Sequence, residues 1–413
     1  MGDHRHVVEE LKHNPPRLII SHGMGVDTGA MTHRLLEEPD LIGIPPSQWL
    51  VVTAMTGHEI QRTGELMQEF ALPMFQQHGV RYAQISRACQ DGGYAVLSPT
   101  LHPTEMVMTG PWTLGHELTA VGTVPQVTGA KTCSYRSKRQ PIEWFLDDVL
   151  GAAPYVHLMG YSVEEGKRIA EDRLHTKGGR RTPRHPLAEW TWDRAEAAGY
   201  IHHTLGVEWI RSACGFCCYA NIGRGINELI HRWTIDPHAA AEALIYEQRA
   251  LGINANAALF ANRTAHDIAR EHRLDAAREL AEHHLAKARW ALYEVRRLYW
   301  ATGPTTPGGP AGKGPVWRAI SKLASGTRDA MHQALTLTAD ASDARMEIDK
   351  HGFPRAWTLP KGDTYPTCES MLAISLDDIS DKARDTFEER WFEHTDLAPL
   401  RPRQRQLELF PAA

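Results

Sequence analysis

The clearest pattern in the chain is a short apolar run, Leu18-Ile19-Ile20. It stops at Ser21 and passes into Gly23, Gly25, Asp27 and Thr28, ahead of a helix-compatible stretch from Ala30 to Glu38. A strand, a tight glycine turn and a helix start are predicted there. Trp49 to Met55 (WLVVTAM), rich in β-branched residues, predicts a second buried strand. Glu59 to His78 predicts a helix and Val80 to Ser86 a third strand. Strand starts about thirty residues apart suit right-handed βαβ units in a mostly parallel sheet. Residues 87–130 are richer in Gly, Thr and Pro and read as an irregular insertion or a hairpin over the sheet edge. A helix from Pro141 to Leu150, a strand from Tyr155 to Tyr161 and a basic loop over 176–186 follow.

From Asp236-Pro237 the pattern turns helical, with Asp236 as cap and Pro237 in the first turn. Asp275 to Trp300 predicts one long amphipathic helix, because Leu280, Leu285, Ala288, Leu292, Val295 and Leu298 recur near helical spacing. Residues 302–315 (TGPTTPGGPAGKGP) cannot hold a helix and predict a linker or exposed loop. The expected fold class is therefore α/β: an open, mostly parallel, doubly wound sheet over 1–230, with a helical extension over 231–301. The linker, a mixed region over 316–400 and a tail over 401–413 complete the chain.

A chain of 413 residues exceeds one small core. Its 42% hydrophobic and 23% charged content is that of an ordinary globular protein. No apolar run reaches membrane-spanning length, and MGDHRHVVEELKHNPP lacks a signal peptide's apolar segment, so the cytoplasm is expected and a membrane partner is not. A net charge of −5 argues against coating nucleic acid by bulk charge and leaves a local basic patch open.

The loop after the first strand has the makings of an anion site. Glycines admit close approach to backbone N–H groups, Ser21 and Thr28 offer hydroxyls, and the helix start adds partial positive charge. Asp27 makes most sense there as a magnesium ligand or as a carboxylate placed beside one. The loop is neither a Gly-Lys-Ser/Thr loop nor GxGxxG. Thr56, Gly57 and Glu59 (AMTGHE) sit at the carboxyl end of the second strand, where open α/β sheets bind ligands. In KTCSYRSKRQPI, Arg136 and Lys138 are candidates to neutralise phosphates, and in LMGYSVEEGKR Arg168 follows two carboxylates.

Of six cysteines, Cys214, Cys217 and Cys218 lie within five residues. Cys214-x-x-Cys217 has metal-binding separation, Cys218 is adjacent and Cys133 is a distant candidate ligand. An iron–sulfur cluster, zinc on the same ligands and buried unligated thiols all stay open. Cys89 and Cys368 are expected to be structural.

The motifs occur in the order SHGMGVDT, TGHE, CSYRSKRQPI, GYSVEEGKR, HPLAEWTWDR and SACGFCCYA. In that order the chain resembles the PAPS (phosphoadenylyl-sulfate) reductase-like branch of the adenine-nucleotide alpha-hydrolase superfamily, the PP-loop ATP pyrophosphatases. Within the branch it is most similar to the ATP pyrophosphatase of DNA phosphorothioation systems and its phage-encoded relatives. The resemblance covers about residues 15 to 225. It implies ATP held across the strand ends, with Ser21, Gly23, Gly25, Asp27 and Thr28 at its phosphates. Thr56, Gly57 and Glu59 would lie beside the nucleotide, and Arg136, Lys138 and Arg168 would be cationic supports. It further implies magnesium and an iron–sulfur cluster on Cys133, Cys214, Cys217 and Cys218. The implied activity is ATP-dependent adenylation that primes an acceptor for sulfur incorporation, with a sulfur donor protein as partner. DNA, a tRNA base, a protein and a small molecule are all open as the acceptor. Reduction of PAPS and a non-catalytic, DNA-associated nucleotide-binding module are the alternatives. This sequence departs from the pattern at His22 and Met24, and Cys368 in TYPTCESML does not match the Glu-Cys-Gly-x-His segment of sulfonucleotide reductases.

The tail reads RPRQRQLELF, and Gln406, Leu407, Leu409 and Phe410 resemble the peptide by which bacterial DNA enzymes dock on the replication sliding clamp. A terminal element that folds back onto its own domain is the other expectation.

Overall fold

The computed structural model describes residues 4–126, 131–219, 226–260, 263–304, 309 and 311–400. The chain divides into two compact units, one formed by Met1–Glu117 with Gly129–Arg232 and the other by Leu118–Thr128 with Trp233–Ala413.

The first unit is built on six strands: β1 (Leu18–Ser21), β2 (Trp49–Met55), β3 (Arg81–Cys89), β4 (Gly92–Val96), β5 (Tyr155–Met159) and β6 (Arg181–Arg184). Their order is β4-β3-β2-β1-β5-β6, and every pair is parallel except β3 with β4. Alternation explains why these apolar runs become strands: Leu18, Ile20, Trp49 and Val51 enter the core on one face, and Ile19, Leu50, Val52 and Ala54 the core on the other. The helix Val26–Glu37 contributes Ala30, Met31 and Leu35 to the first core, while Arg5–His13 and Gln140–Leu150 contribute Leu11, Phe145 and Val149 to the second. The expected α/β, mostly parallel sheet is observed, and β4 is the hairpin at its edge. The expected basic loop over 176–186 contains the edge strand β6, whose Arg181 pairs with Tyr155.

The second unit carries a five-stranded antiparallel sheet of β7 (Trp290–Pro304), β8 (Ala311–Gly326), β9 (Arg345–Ile348), β10 (Pro354–Leu359) and β11 (Thr367–Leu376). Their order is β8-β7-β11-β10-β9. Two expectations are corrected here. The helix that begins at Asp275 ends at Lys287, and the remainder of the expected long helix is β7. Its apolar residues do not form one stripe: Trp290 and Leu292 enter one core, whereas Ala291, Tyr293 and Val295 enter another. A strand between two neighbours can bury both faces, and the aromatic and β-branched content favours that outcome. The described ends of the segment 302–315 also belong to strands: Thr302 of β7 pairs with Gly312 of β8 and Pro304 with Ala311, antiparallel. A Cβ at Gly314 would stand 2.8 Å from the Trp300 carbonyl oxygen, which accounts for a glycine in that strand. Among the described residues no helix is long and apolar enough to cross a membrane. The tail residues Gln406, Leu407, Leu409 and Phe410 lie outside the described residues.

Candidate functional site

The strand order of the first unit reverses direction between β1 and β5. From β1 the chain runs outward through β2 and β3, then returns to place β5 and β6 on the opposite side. The carboxyl ends of two such strands leave a crevice, the usual ligand position in an open α/β sheet. A cavity of about 950 Å³ lies there, lined by the loop after β1 (Ser21 to Thr28) and the loop after β5 (Met159 to Arg168). Eight lysines and arginines line it against five aspartates and glutamates, a net of +3 from the fixed charges.

Ser21, Gly23, Gly25, Asp27 and Thr28 all line the cavity, as expected of a phosphate loop. The helix Val26–Glu37 begins there with no side-chain cap, so its first N–H groups are directed at the cavity end. A Cβ on Gly25 would meet Ser212 Oγ at 2.9 Å and Ser212 N at 3.0 Å, so it is the segment before the cysteines that presses on the loop. Trp209 Nε1 donates to the Met24 carbonyl at 3.1 Å from that segment. Met24 has a φ of +59°, and its N–H donates to His22 Nδ1 at 3.1 Å, which withdraws that N–H from any ligand. Burial pushes His22 down to about 3.

Asp27 is held by Arg194, whose Nε and Nη2 donate to its two oxygens at 2.9–3.2 Å. This hydrogen bonding raises the Arg194 pKa further, despite burial that would lower it. Asp27 is therefore half of an ion pair. Arg194 also lines the cavity and was not singled out from sequence; as the first residue of a helix in HPLAEWTWDR it carries no motif of its own.

The remaining expected residues separate. Lys138 and Arg168 line the cavity, together with Lys131, Arg139, Arg181 and Arg211, which sequence reasoning passed over. Arg168 lies 4.3 Å from the centre of the Tyr161 ring and pairs with Glu165. Arg136 does not line the cavity; it pairs with Glu117. Thr56, Gly57 and Glu59 do not line it either. The Glu59 carboxylate accepts from Thr56 N and Oγ1 at 3.0 and 2.8 Å and from Gly57 N at 3.1 Å, closing the turn after β2. Lys138 Nζ stands 3.5 Å from the same carboxylate. Burial alone would lower the Lys138 pKa, but Glu59 and the nearby thiols Cys214 and Cys217 outweigh it and raise it.

A buried polar chain supports Ser21 from below. Its hydroxyl is 2.8 Å from His157 Nε2, and Arg181 Nε donates to His157 Nδ1 at 2.8 Å. Arg181 Nη2 donates to both oxygens of Asp172 at 2.9 and 3.0 Å, and His185 Nε2 lies 3.0 Å from the same carboxylate. These bonds hold the Asp172 carboxyl down at about 2, although burial pushes the other way.

The four candidate ligand cysteines belong to the same unit. Cys214 Sγ lies 3.3 Å from Thr56 Oγ1, and burial pushes its thiol up to about 12. Cys133, Cys217 and Cys218 act electrostatically on one another; burial is the main cause that raises Cys133, and it takes Cys218 to about 12. Among the described residues, however, no group of three or more His, Cys, Asp or Glu side chains is disposed to hold a metal ion. Cys89 is exposed in β3 and Cys368 buried in β11.

No protein-family model matches the chain, and no curated protein and no solved structure matches it.

Proposed function

We propose that the first unit is a nucleotide-binding enzyme of the adenine-nucleotide alpha-hydrolase type, in its PAPS reductase-like branch, that uses ATP to adenylate an acceptor. The observation that carries the reading is the crevice between β1 and β5, where an uncapped helix start and the Ser21–Thr28 loop face Lys138, Arg168 and Arg194. Its volume of about 950 Å³ suits a nucleotide with room for a reacting group. In the reaction an acceptor nucleophile bonds to the α-phosphorus while the bond to the bridging oxygen breaks. Pyrophosphate leaves with the electron pair, and the acceptor gives up its proton. Lysine and arginine groups around the crevice stabilise the charge that gathers on the leaving oxygens. Ser21 adds a hydroxyl donor, and Arg194, held by Asp27, adds a cation beside the same loop.

Adenylation makes AMP the leaving group, which prepares the acceptor for a sulfur nucleophile. Four thiols in the same unit support that second half of the proposal, with DNA as the first acceptor to test and a partner protein as the source of sulfur. The reductase alternative draws no support from Cys368, which is buried in β11 with its thiol pushed up to about 11 by burial.

The test incubates the purified chain with α-labelled ATP, magnesium and either DNA or tRNA, and follows pyrophosphate release and label transfer. Pyrophosphate release that depends on the acceptor supports the proposal. Nucleotide binding without any release would leave the non-catalytic module, and sulfite release from PAPS with a thiol donor would install the reductase.

A further inference from the structure

The second unit contains a cavity of about 470 Å³ that the proposed reaction does not use. Residues of the helices Pro237–Ile253, Ala265–Glu271 and Arg328–Ala341 and the turn from Lys350 to Pro354 enclose it. Arg328 forms one wall with its guanidinium 4.8 Å from the centre of the Trp290 ring. Lys350 stands at another, with Nζ 3.4 Å from Asn256 Oδ1. Among the described residues neither cation has a carboxylate partner.

The third cation, Arg270, is neutralised by Asp267 at 2.6 Å, and the other oxygen of Asp267 accepts from Thr264 Oγ1 at 2.6 Å. Two positive charges are therefore left uncompensated around one concavity. His332 and His266 also line it; burial is the largest cause that lowers both pKa values, and Arg328 adds to it for His332.

A guanidinium stacked on an indole keeps its N–H edges free for planar, two-point contact with phosphate oxygens, and a lysine opposite adds a point charge. The space is much larger than a bare phosphate needs. Leu251 and Ile374 give it apolar surface, and Phe353 gives it a ring. A ligand that fills it joins a phosphate to a flat, partly apolar body. We propose that this cavity is a second site, separate from the β1–β5 crevice, that binds a nucleotide unit through its phosphate, either free or within a single-stranded polynucleotide.

The test uses the full chain with two probes, thymidine monophosphate and a short 5′-phosphorylated oligothymidylate, chosen because an adenine-nucleotide site has little use for thymine. Binding is measured for the natural chain, for Lys350→Glu and for the Arg328→Glu/Lys350→Glu pair. The pair should lose at least about tenfold in affinity while ATP-dependent pyrophosphate release stays unchanged; Lys350 is exposed, so its single variant reports the same direction even if the pair folds poorly. With two phosphate contacts removed, the salt slope for the oligonucleotide should fall by about 1.4. Loss with both probes identifies a free nucleotide as sufficient, and loss with the oligonucleotide alone identifies a polynucleotide. Equal binding by all three proteins, or no binding of either probe, overturns the proposal whatever the ATP assay gives.

Discussion

Arg181 donates through Nε to His157 Nδ1 at 2.8 Å, and this one bond decides the chemistry of Ser21. A guanidinium only donates, so Nδ1 is the acceptor and the imidazole carries its proton on Nε2. That proton goes to Ser21 Oγ, 2.8 Å away, and leaves the serine's own O–H to point at a ligand. Burial, with Arg181 adding to it, pushes His157 down to about 3. Nitrogen NMR should therefore find a neutral, Nε2-protonated ring at pH 5. A charged ring at that pH would mean that Arg181 does not fix the His157 tautomer or the orientation of the Ser21 hydroxyl.

The same shift sets a pH dependence of stability. His157 and His22, both at about 3 when folded, stabilise the fold fully above their unfolded value of 6.5 and lose that contribution as pH falls toward 3. Each group changes stability by about 1.4 kcal/mol per pH unit inside that window. Glu247 of the second unit, raised by burial to about 7, has the opposite sign: its contribution is present below 4.5 and is lost as pH rises through 7. Acidification from pH 6.5 to 5 should lower the melting transition of the first unit more than that of the second, and His157→Gln should reduce the first unit's pH slope, with His22 and the likewise lowered His33 supplying the rest. Identical slopes for the two proteins would refute the assignment.

Gly25 and Gly23 offer a paired comparison. A methyl at Gly25 meets the backbone of Ser212 at 3.0 Å, whereas at Gly23 the nearest atom is Ser212 Oγ at 3.7 Å. Gly25→Ala should displace the loop and weaken ATP binding by about tenfold or more, roughly the 1–3 kcal/mol of an overpacked site. Gly23→Ala should cost much less. Equal losses in a calorimetric titration would mean that the ligand, not Ser212, imposes both glycines.

Asp27 and Arg194 should behave as one element. Either alanine variant strands a half-buried partner and should cost about 1–3 kcal/mol of stability, with pyrophosphate release falling by at least about a hundredfold. The double variant should be no slower than the worse single one. Full turnover in Asp27→Ala would remove the pair from the active site.

Thiol chemistry tests the cysteine region. Exposed Cys89 should be alkylated first at pH 8, and Cys214 and Cys218, pushed up to about 12 by burial, last. Iron, sulfide and zinc measured after anaerobic purification give the counter-result: a bound metal that is lost in Cys217→Ser would mean that these thiols close into a ligand set different from the arrangement described.

The glycine loop after β1 and the first three strands are legible because each is a contiguous run, such as LIIS, WLVVTAM and VRYAQIS. Arg194, His157, Arg181 and Asp172 were not, since each is a single polar residue whose role depends on which strand ends the topology brings together. β7 was misread for a related reason. Leu292, Val295 and Leu298 satisfy helical spacing, and only the neighbouring strands β8 and β11 show that they belong to two faces. Arg136 and Arg139 lie within one short segment, where a difference of three residues turns a side chain from Glu117 to the cavity.

Glu59 gives Lys138 an unusual economy. A lysine on a surface swings through many rotamers, and arresting it at the moment of binding costs up to about 2 kcal/mol of side-chain entropy. Here the carboxylate that closes the β2 turn already holds the ammonium at 3.5 Å, before any ligand arrives. The charge is thus indexed to the sheet rather than to the flexible length of its own stem. Any anion that meets Lys138 therefore encounters a fixed landmark, set by the rigid end of β2, whose Ala54 also lines the cavity.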